Sequence, residues 1–251
     1  MIVLGLDTST PSTAVALRGA DGRTTDARDD PPAGAHPGHA TRLLEMAAEL
    51  LEAAGLRWRD VDRIAVGVGP GTFTGLRVGI ATARGLAQSL SRELVGVSSP
   101  LALAAAALAA QDAEARSARA VLSAIDARRG EVFAAAYTAS DAGAGEPLEL
   151  VAVRPLAPEQ LASVIAEAGP ASAERSWLAV GDGAVRYRAQ LERAGVPVAE
   201  PASPLHLVSA ASICELGARA HAPALERVVP DYRRRPDAEL ALRGAGAARS
   251  E

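Results

Sequence analysis

Apolar and polar positions along this chain fall into two rounds of strands and helices. The first round opens with residues 2–6, an apolar run closed by Asp7, which predicts a buried strand. Residues 13–17 and 23–28 read as two further strands, joined by the turn Gly19-Ala20-Asp21-Gly22. The chain thus starts as a β-meander. A proline- and glycine-rich loop over 29–38 leads into a predicted helix over 39–54. That helix carries two adjoining apolar stripes, Leu43-Ala47-Leu50-Ala54 and Ala40-Leu44-Ala48-Leu51. The combined face is broader than one packed side requires, so it fits burial between two layers, or one face on the sheet and one on a partner. Residues 64–68 and 93–97 predict strands, and residues 100–110 an alanine-rich helix capped by Ser98 or Ser99.

A polar stretch over 111–119 marks a lobe boundary. The second round then places strands at 120–126, 131–138, 148–153 and 177–180. Helices are predicted at 158–168, 185–194 and 206–220, and a loop at 140–146. Two lobes, 1–110 and 111–238, repeat one plan of hairpin strands followed by alternating helices and strands. The fold class is therefore α/β, with two mixed sheets flanked by helices. Residues 239–251 are alanine, glycine, arginine and serine for the most part and are expected to be disordered.

Residues 67–85 read GVGPGTFTGLRVGIATARG and join the strand over 64–68 to a second helix, over 74–90. The turn is Gly69-Pro70-Gly71, and Thr72 or Thr74 can cap the helix. Gly75, Gly79 and Ala83 recur every four residues, so one helix face has almost no side chains. A helix-interior glycine costs about 1 kcal/mol. Two of them imply that another backbone comes very close, from the chain's own sheet or from a partner.

Composition narrows the chemistry. Apolar residues are 49% of the 251 and aromatics only 3%, so the core must be built of Ala, Val, Leu and Ile. Every one of the 26 basic residues is arginine. Without lysine there is no P-loop lysine, Schiff base or lysine general base. Without asparagine there is no N-glycosylation site and no Cys-His-Asn triad. The net charge of −4 argues against nucleic acid as the chief direct partner. Cys214 stands alone, which excludes an internal disulfide. No long apolar run reads as a membrane span and no basic leader precedes residue 2, so a cytoplasmic location is expected.

The candidate chemical motifs are mostly incomplete. In a G-x-G-x-x-G register starting at Gly67 the third glycine falls on Thr72, and starting at Gly69 it falls on Thr74. Asp7 ends a buried strand before a hairpin. In phosphotransferases of the actin and sugar-kinase type an acid there holds metal and the hairpin holds phosphate, but residues 9–13 contain no glycine. Asp7, Gly69, Gly71 and Thr72, with Gly181 and Gly183 in the second lobe, are the candidate contacts of a vestigial nucleotide site. His36 and His39 are three apart with Pro37 and Gly38 between them, which is unsuited to a helical metal pair. No metal site is assigned. His39, His206 and His221 are expected at the surface, and Asp126 in an ion-paired turn with Arg128 and Arg129. No G-x-S-x-G nucleophile elbow is present.

Taken together, these stretches resemble one family. Ile2-Val3-Leu4-Gly5-Leu6-Asp7-Thr8-Ser9 is similar to the start of the TsaB (formerly YeaZ) proteins. Residues Gly69-Pro70-Gly71-Thr72-Phe73-Thr74-Gly75-Leu76-Arg77-Val78-Gly79 resemble that family's most recognisable signature. Ala124-Ile125-Asp126-Ala127-Arg128-Arg129-Gly130-Glu131-Val132, Gly181-Asp182-Gly183-Ala184 and Pro230-Asp231-Tyr232-Arg233 match shorter ones. The resemblance implies two actin-like (ASKHA, ribonuclease H-like) lobes. It implies a non-catalytic scaffold in tRNA threonylcarbamoyladenosine synthesis, partnered by the transferase TsaD and joined by the ATPase TsaE, with homodimers through a related surface. It implies tRNA contact mainly through the complex and no cofactor, weak adenine nucleotide binding aside. The partner surface would use the first two helices, which points to Leu43, Ala47, Leu50, Leu51, Gly75, Gly79, Ile80 and Ala83. The alternatives are a small-molecule phosphotransferase of the same superfamily, or a peptidase.

Overall fold

The computed structural model describes residues 1–32, 34–111, 117–140, 145–169 and 176–233. Five strands form the first sheet: β1 (Val3–Asp7), β2 (Thr13–Arg18), β3 (Thr24–Asp29), β4 (Arg63–Gly69) and β5 (Glu93–Ser98), in the order β3-β2-β1-β4-β5. The meander β1-β2-β3 is antiparallel, and β4 and β5 add in parallel beside β1. The second sheet contains β6 (Ala120–Arg128), β7 (Glu131–Thr138), β8 (Leu148–Leu156) and β9 (Trp177–Val180), in the order β8-β7-β6-β9. It too begins antiparallel and then adds a parallel strand on the inner side. This repeated plan is the actin-like arrangement of two ribonuclease H-like lobes.

The helices are α1 (His39–Ala53), α2 (Phe73–Leu90), α3 (Ser99–Ala109), α4 (Leu161–Glu167), α5 (Asp182–Arg186), α6 (Arg188–Arg193) and α7 (Ala210–Arg219). Three predicted helices differ. The one over 158–168 opens as a 3-10 turn, Pro158–Gln160, before α4. The one over 185–194 starts earlier and breaks at Tyr187, whose φ of −110° is not helical. The one over 206–220 begins only at Ala210, because Ser209 Oγ accepts from Ser212 N at 3.2 Å and fixes the start there. The expected tail over 239–251 lies outside the described residues, as do 112–116 and 141–144 within the predicted boundary and loop.

Period-two alternation sends each strand's side chains to two layers. Leu4, Leu6, Ile64 and Val66 face α1 and α2. Val3 and Ala65 face a second layer holding α3 and α7. There the chain spacing is very tight. A Cβ on Gly5 would lie 2.7 Å from Cys214 Sγ, and one on Gly217 would overlap Ala65. Cys214 Sγ donates to the carbonyls of Val3 and Ala16, and burial pushes the thiol up to about 12; it is a packing group. Small residues in place of aromatics make this approach feasible.

Helices cross between the two sheets. The alanine-rich α3 follows the first sheet in sequence yet packs on β6 and β7 of the second, with Ala102, Leu103, Ala104 and Ala107 all fully buried. The Ser123 hydroxyl ties the two together by donating to Pro100 O at 2.8 Å. Conversely α7, which follows the second sheet, packs across β1, β2 and β4, and the segment after it returns to α2 and β4. So residues 210–233, which follow the second sheet in sequence, pack against the first.

Arg63 fastens that return. Its Nη1 donates to Gly217 O, Ala218 O and Ala220 O at 2.9, 3.3 and 2.9 Å, which occupies the free carbonyls at the end of α7. Its guanidinium also pairs with Glu93. Arg63→Met keeps the stem but leaves those carbonyls without donors. It is expected to cost about 2 kcal/mol and to lower the melting temperature by roughly 4–8 °C; an unchanged thermal melt would contradict this role.

Candidate functional site

The region at the end of β1 is built around Asp7. Its side chain is 1% exposed. Oδ1 accepts from Ser9 N at 3.1 Å and from Ser9 Oγ at 2.9 Å. Oδ2 makes no hydrogen bond, although the Ser99 hydroxyl lies near enough to favour the charged form. Burial is the dominant effect and pushes the pKa of Asp7 up to about 6. Only glycine fits at position 67, since a Cβ there would overlap Asp7 Oδ2.

The glycine-rich turn closes over this carboxyl. Gly69 has φ +94° and is followed by a cis bond to Pro70. Thr72 N donates to Ser9 O at 2.7 Å, and the Thr8 hydroxyl donates to Gly75 O at 2.7 Å. A Cβ on Gly71 would overlap Ser9 O, one on Gly75 would overlap Thr8 O, and one on Gly79 would overlap Thr8 Oγ1. The close neighbour that the glycine spacing demands is therefore the chain's own loop after β1. Asp7, Gly69, Gly71 and Thr72 come together, with the Thr72 N–H turned to Ser9 O of the loop after β1. Gly181 and Gly183 lie over β6 in the second sheet, where a Cβ on Gly181 would overlap Ala124 O. Both groups border α3, one at Ser99 and the other at Leu103.

The helix residues expected at a partner surface sit elsewhere than expected. Leu43, Ala47 and Leu51 of α1 and Gly75, Gly79, Ile80 and Ala83 of α2 are buried against the first sheet, between 0 and 4% exposed where measured for the apolar ones. Leu50 is half-buried at the edge of the same core. Tertiary packing chose these positions as the inner face and left Ala40 and Leu44 of the neighbouring stripe outward, while its Leu51 turns inward. Leu44 of α1 is 44% exposed, and Ala81 and Gly85 of α2 are also exposed, with nothing among the described residues within 4 Å of a Cβ placed on Gly85.

At the first turn of α2 is a cluster that residue patterning alone did not single out. Phe73 and Tyr232, each 43% exposed, have ring centroids 5.4 Å apart. The Arg77 guanidinium stacks 3.6 Å from the Phe73 centroid, and its Nε donates to Tyr232 Oη at 2.9 Å. Further along α2, Arg84 donates to Glu226 O at 2.9 Å. With aromatics at 3% of the chain, two at the surface were the available signal.

Two of the histidines correct the expectation of surface roles. His39 is 5% exposed, with Nδ1 2.8 Å from Thr13 Oγ1, and burial holds its pKa below the usual imidazole value. His206 is also 5% exposed; its ring nitrogens face Gly181 O at 3.1 Å, Ala199 O at 3.0 Å and Glu200 O at 3.1 Å. Its placement in a 3-10 turn instead of a helix points the ring inward. His221 is exposed. Asp126 pairs with Arg128 at 3.3 Å, as the turn predicted, and also with Arg186 at 3.0 Å from a different helix. Asp182 Oδ1 accepts from Asp126 N, and burial raises its pKa. Among the described residues no three His, Cys, Asp or Glu gather as a metal site, and no helix is long and apolar enough to cross a membrane.

Comparison with known proteins agrees with this architecture. The family model described as TsaD, tRNA N6-adenosine threonylcarbamoyltransferase, matches residues 31–242. The tRNA threonylcarbamoyladenosine biosynthesis protein TsaB of Escherichia coli is 31% identical over 245 residues, which is 93% of this chain and 95% of that protein. The structure of YeaZ from Pseudomonas aeruginosa superimposes with a TM-score of 0.73 at 31% identity, covering 92% of this chain and 100% of that one. Another, described as similar to the peptidase YeaZ from Pseudomonas aeruginosa, gives 0.75 at 32% identity over 93% and 99%. With its two mixed sheets, its glycine signature and a likeness that runs nearly end to end, the chain belongs to the TsaB (YeaZ) family of tRNA threonylcarbamoyladenosine biosynthesis proteins.

Proposed function

We propose that this protein is a non-catalytic cytoplasmic subunit that pairs with the transferase TsaD and thereby supports transfer of the threonylcarbamoyl group to tRNA adenosine. The ATPase TsaE joins that pair, and a homodimer through the same face is the form without the partner. The observation that carries the reading is the outer face of α1 and α2. Leu44 stands 44% exposed there, and Gly85 is a helix-interior glycine where, its own helix turn apart, nothing among the described residues comes within 4 Å of an added Cβ. Relative to alanine, Gly85 costs about 1 kcal/mol, with no compensating contact among the described residues. A second helix pair laid on Leu44, Ala81 and Gly85 would supply that contact. The eight positions first assigned to the surface then act as the inner support of the two helices.

A catalytic reading would need Asp7 to meet substrate. Its carboxyl is sealed under Gly67 and the 8–9 loop, which favours a structural role, and the proposed function requires no cofactor of its own.

Leu44→Asp and Gly85→Trp are expected to leave the fold intact and to reduce co-purification with TsaD at least tenfold, since each sets a charge or a bulky ring into an apolar contact. Threonylcarbamoyladenosine formation in a reconstituted assay should fall in parallel. Full capture and full modification by both variants would sink this placement of the contact. Tight calorimetric binding of ATP with Mg²⁺ to the isolated protein, abolished by Asp7→Ala, would instead favour the phosphotransferase alternative.

A further inference from the structure

We propose that the exposed Phe73–Arg77–Tyr232 cluster is a stacking platform for an unpaired RNA base, with a stripe of arginines beside it for the phosphate backbone. The inference rests on the proposed role in tRNA modification and gives this subunit a direct contact with the RNA.

Three observations converge. First, the two rings are solvent-exposed without being loose. Tyr232 is held over α2 by its hydrogen bond from Arg77, and Arg77 is held flat on Phe73. Exposed, pre-ordered rings and a planar guanidinium are the surfaces on which unpaired bases stack. Second, the charge around them is concentrated. At 100° per residue, Phe73, Arg77 and Arg84 fall within about 40° of one another round the helix. The segment over 225–233 runs back along this side of α2, tied at Arg84 to Glu226 O and at Arg77 to Tyr232. It brings exposed Arg227 and Arg233. Against these stand exposed Glu226 and half-buried Asp231, the latter paired with Arg233 at 2.7 Å. A basic stripe thus lies on a chain whose net charge is −4. Third, Phe73 lies about 80° round the helix from Ala81 and about 120° from Gly85, so the rings are offset from the proposed TsaD contact, which Arg77 borders. Apolar surface that would close a protein contact round the rings is sparse; Val229 is the one large exposed apolar neighbour in the described part of this segment.

The test is fluorescence anisotropy of the full-length protein with a fluorescein-labelled RNA hairpin carrying an anticodon-sized unpaired loop, beside a blunt duplex of the same length. The protein is expected to prefer the hairpin. Phe73→Ala and Tyr232→Ala should each weaken hairpin binding by roughly 5- to 100-fold with thermal melts unchanged, while Tyr232→Phe, which keeps the ring, should retain most of the affinity. Arg77→Gln should lower the salt slope by about one. The inference is overturned if the protein does not bind the hairpin, binds duplex equally well, or binds both alike in the ring variants. Capture of TsaD by these variants is read separately. Lost capture with unchanged RNA affinity would make the cluster a protein contact and overturn the inference. Unchanged capture and unchanged RNA affinity would overturn it while leaving the proposed function standing.

Discussion

Gly75→Ala is expected to destabilise the protein by about 3 kcal/mol, close to the upper end for overpacking. The methyl group would overlap the backbone carbonyl of Thr8, which also lies next to the Thr8–Gly75 hydrogen bond. A carbonyl on a loop that already receives Thr72 N one residue later cannot swing aside as a flexible side chain can. The melting temperature should fall by roughly 6–12 °C for a chain of this size. Gly85→Ala supplies the internal comparison. It lies on the same helix with nothing among the described residues within 4 Å of the added Cβ and should stabilise the isolated protein by up to about 1 kcal/mol. Equal melts for the two variants would show that the glycines of α2 do not differ in the way their surroundings require.

Asp7→Asn should remove a pH dependence instead of a contact. Asp7 is raised from 3.8 to about 6 in the folded protein. The folded state therefore binds more protons than the unfolded chain between those values, so this group's contribution to stability is present in full below about pH 4 and is lost as pH rises through about 6. The shift corresponds to roughly 3 kcal/mol. Other carboxylates titrate in the same range, so the readout is the difference between parent and variant in urea unfolding at about pH 4 and about pH 7. The variant should gain relative to the parent as pH rises, with the full gain reduced because the new amide N–H groups also need partners. A difference that stays constant between the two pH values would show that the buried carboxyl is not ionising at the cost its surroundings impose.

Much of the architecture was legible before any coordinates. The strands over 131–138 and 177–180, the opening meander and the helices α1, α2 and α3 follow from period-two and period-3.6 patterns, which are local properties of the backbone. The misses have local causes too. Ser209 captures a helix start that hydrophobic periodicity placed at residue 206, and Tyr187 breaks a run that reads as continuous. The burial of the histidines is not legible locally: Thr13 lies 26 positions from His39 and Gly181 25 from His206, and the nearer His206 partners, Ala199 and Glu200, are backbone carbonyls that any residue offers. A lone polar residue carries no sign of the carbonyl or hydroxyl waiting for it. The candidate site divides in the same way. The signature from Gly69 to Gly79 was visible, and so were Pro230 to Arg233, but nothing local joins them; Arg77 and Tyr232 are 155 positions apart.

By itself the sequence determined the secondary elements, the two-round α/β plan, the absence of lysine chemistry and the need for a close backbone neighbour along Gly75 and Gly79. Only the tertiary structure decided that this neighbour is Thr8 of the same chain, that Leu44 and Gly85 are left facing outward, and that Phe73 meets Tyr232. Spacing reports which helix face is smooth, because that depends on 3.6 residues per turn. Which surface fills the face depends on how the whole chain folds back, and small side chains accept many neighbours equally well.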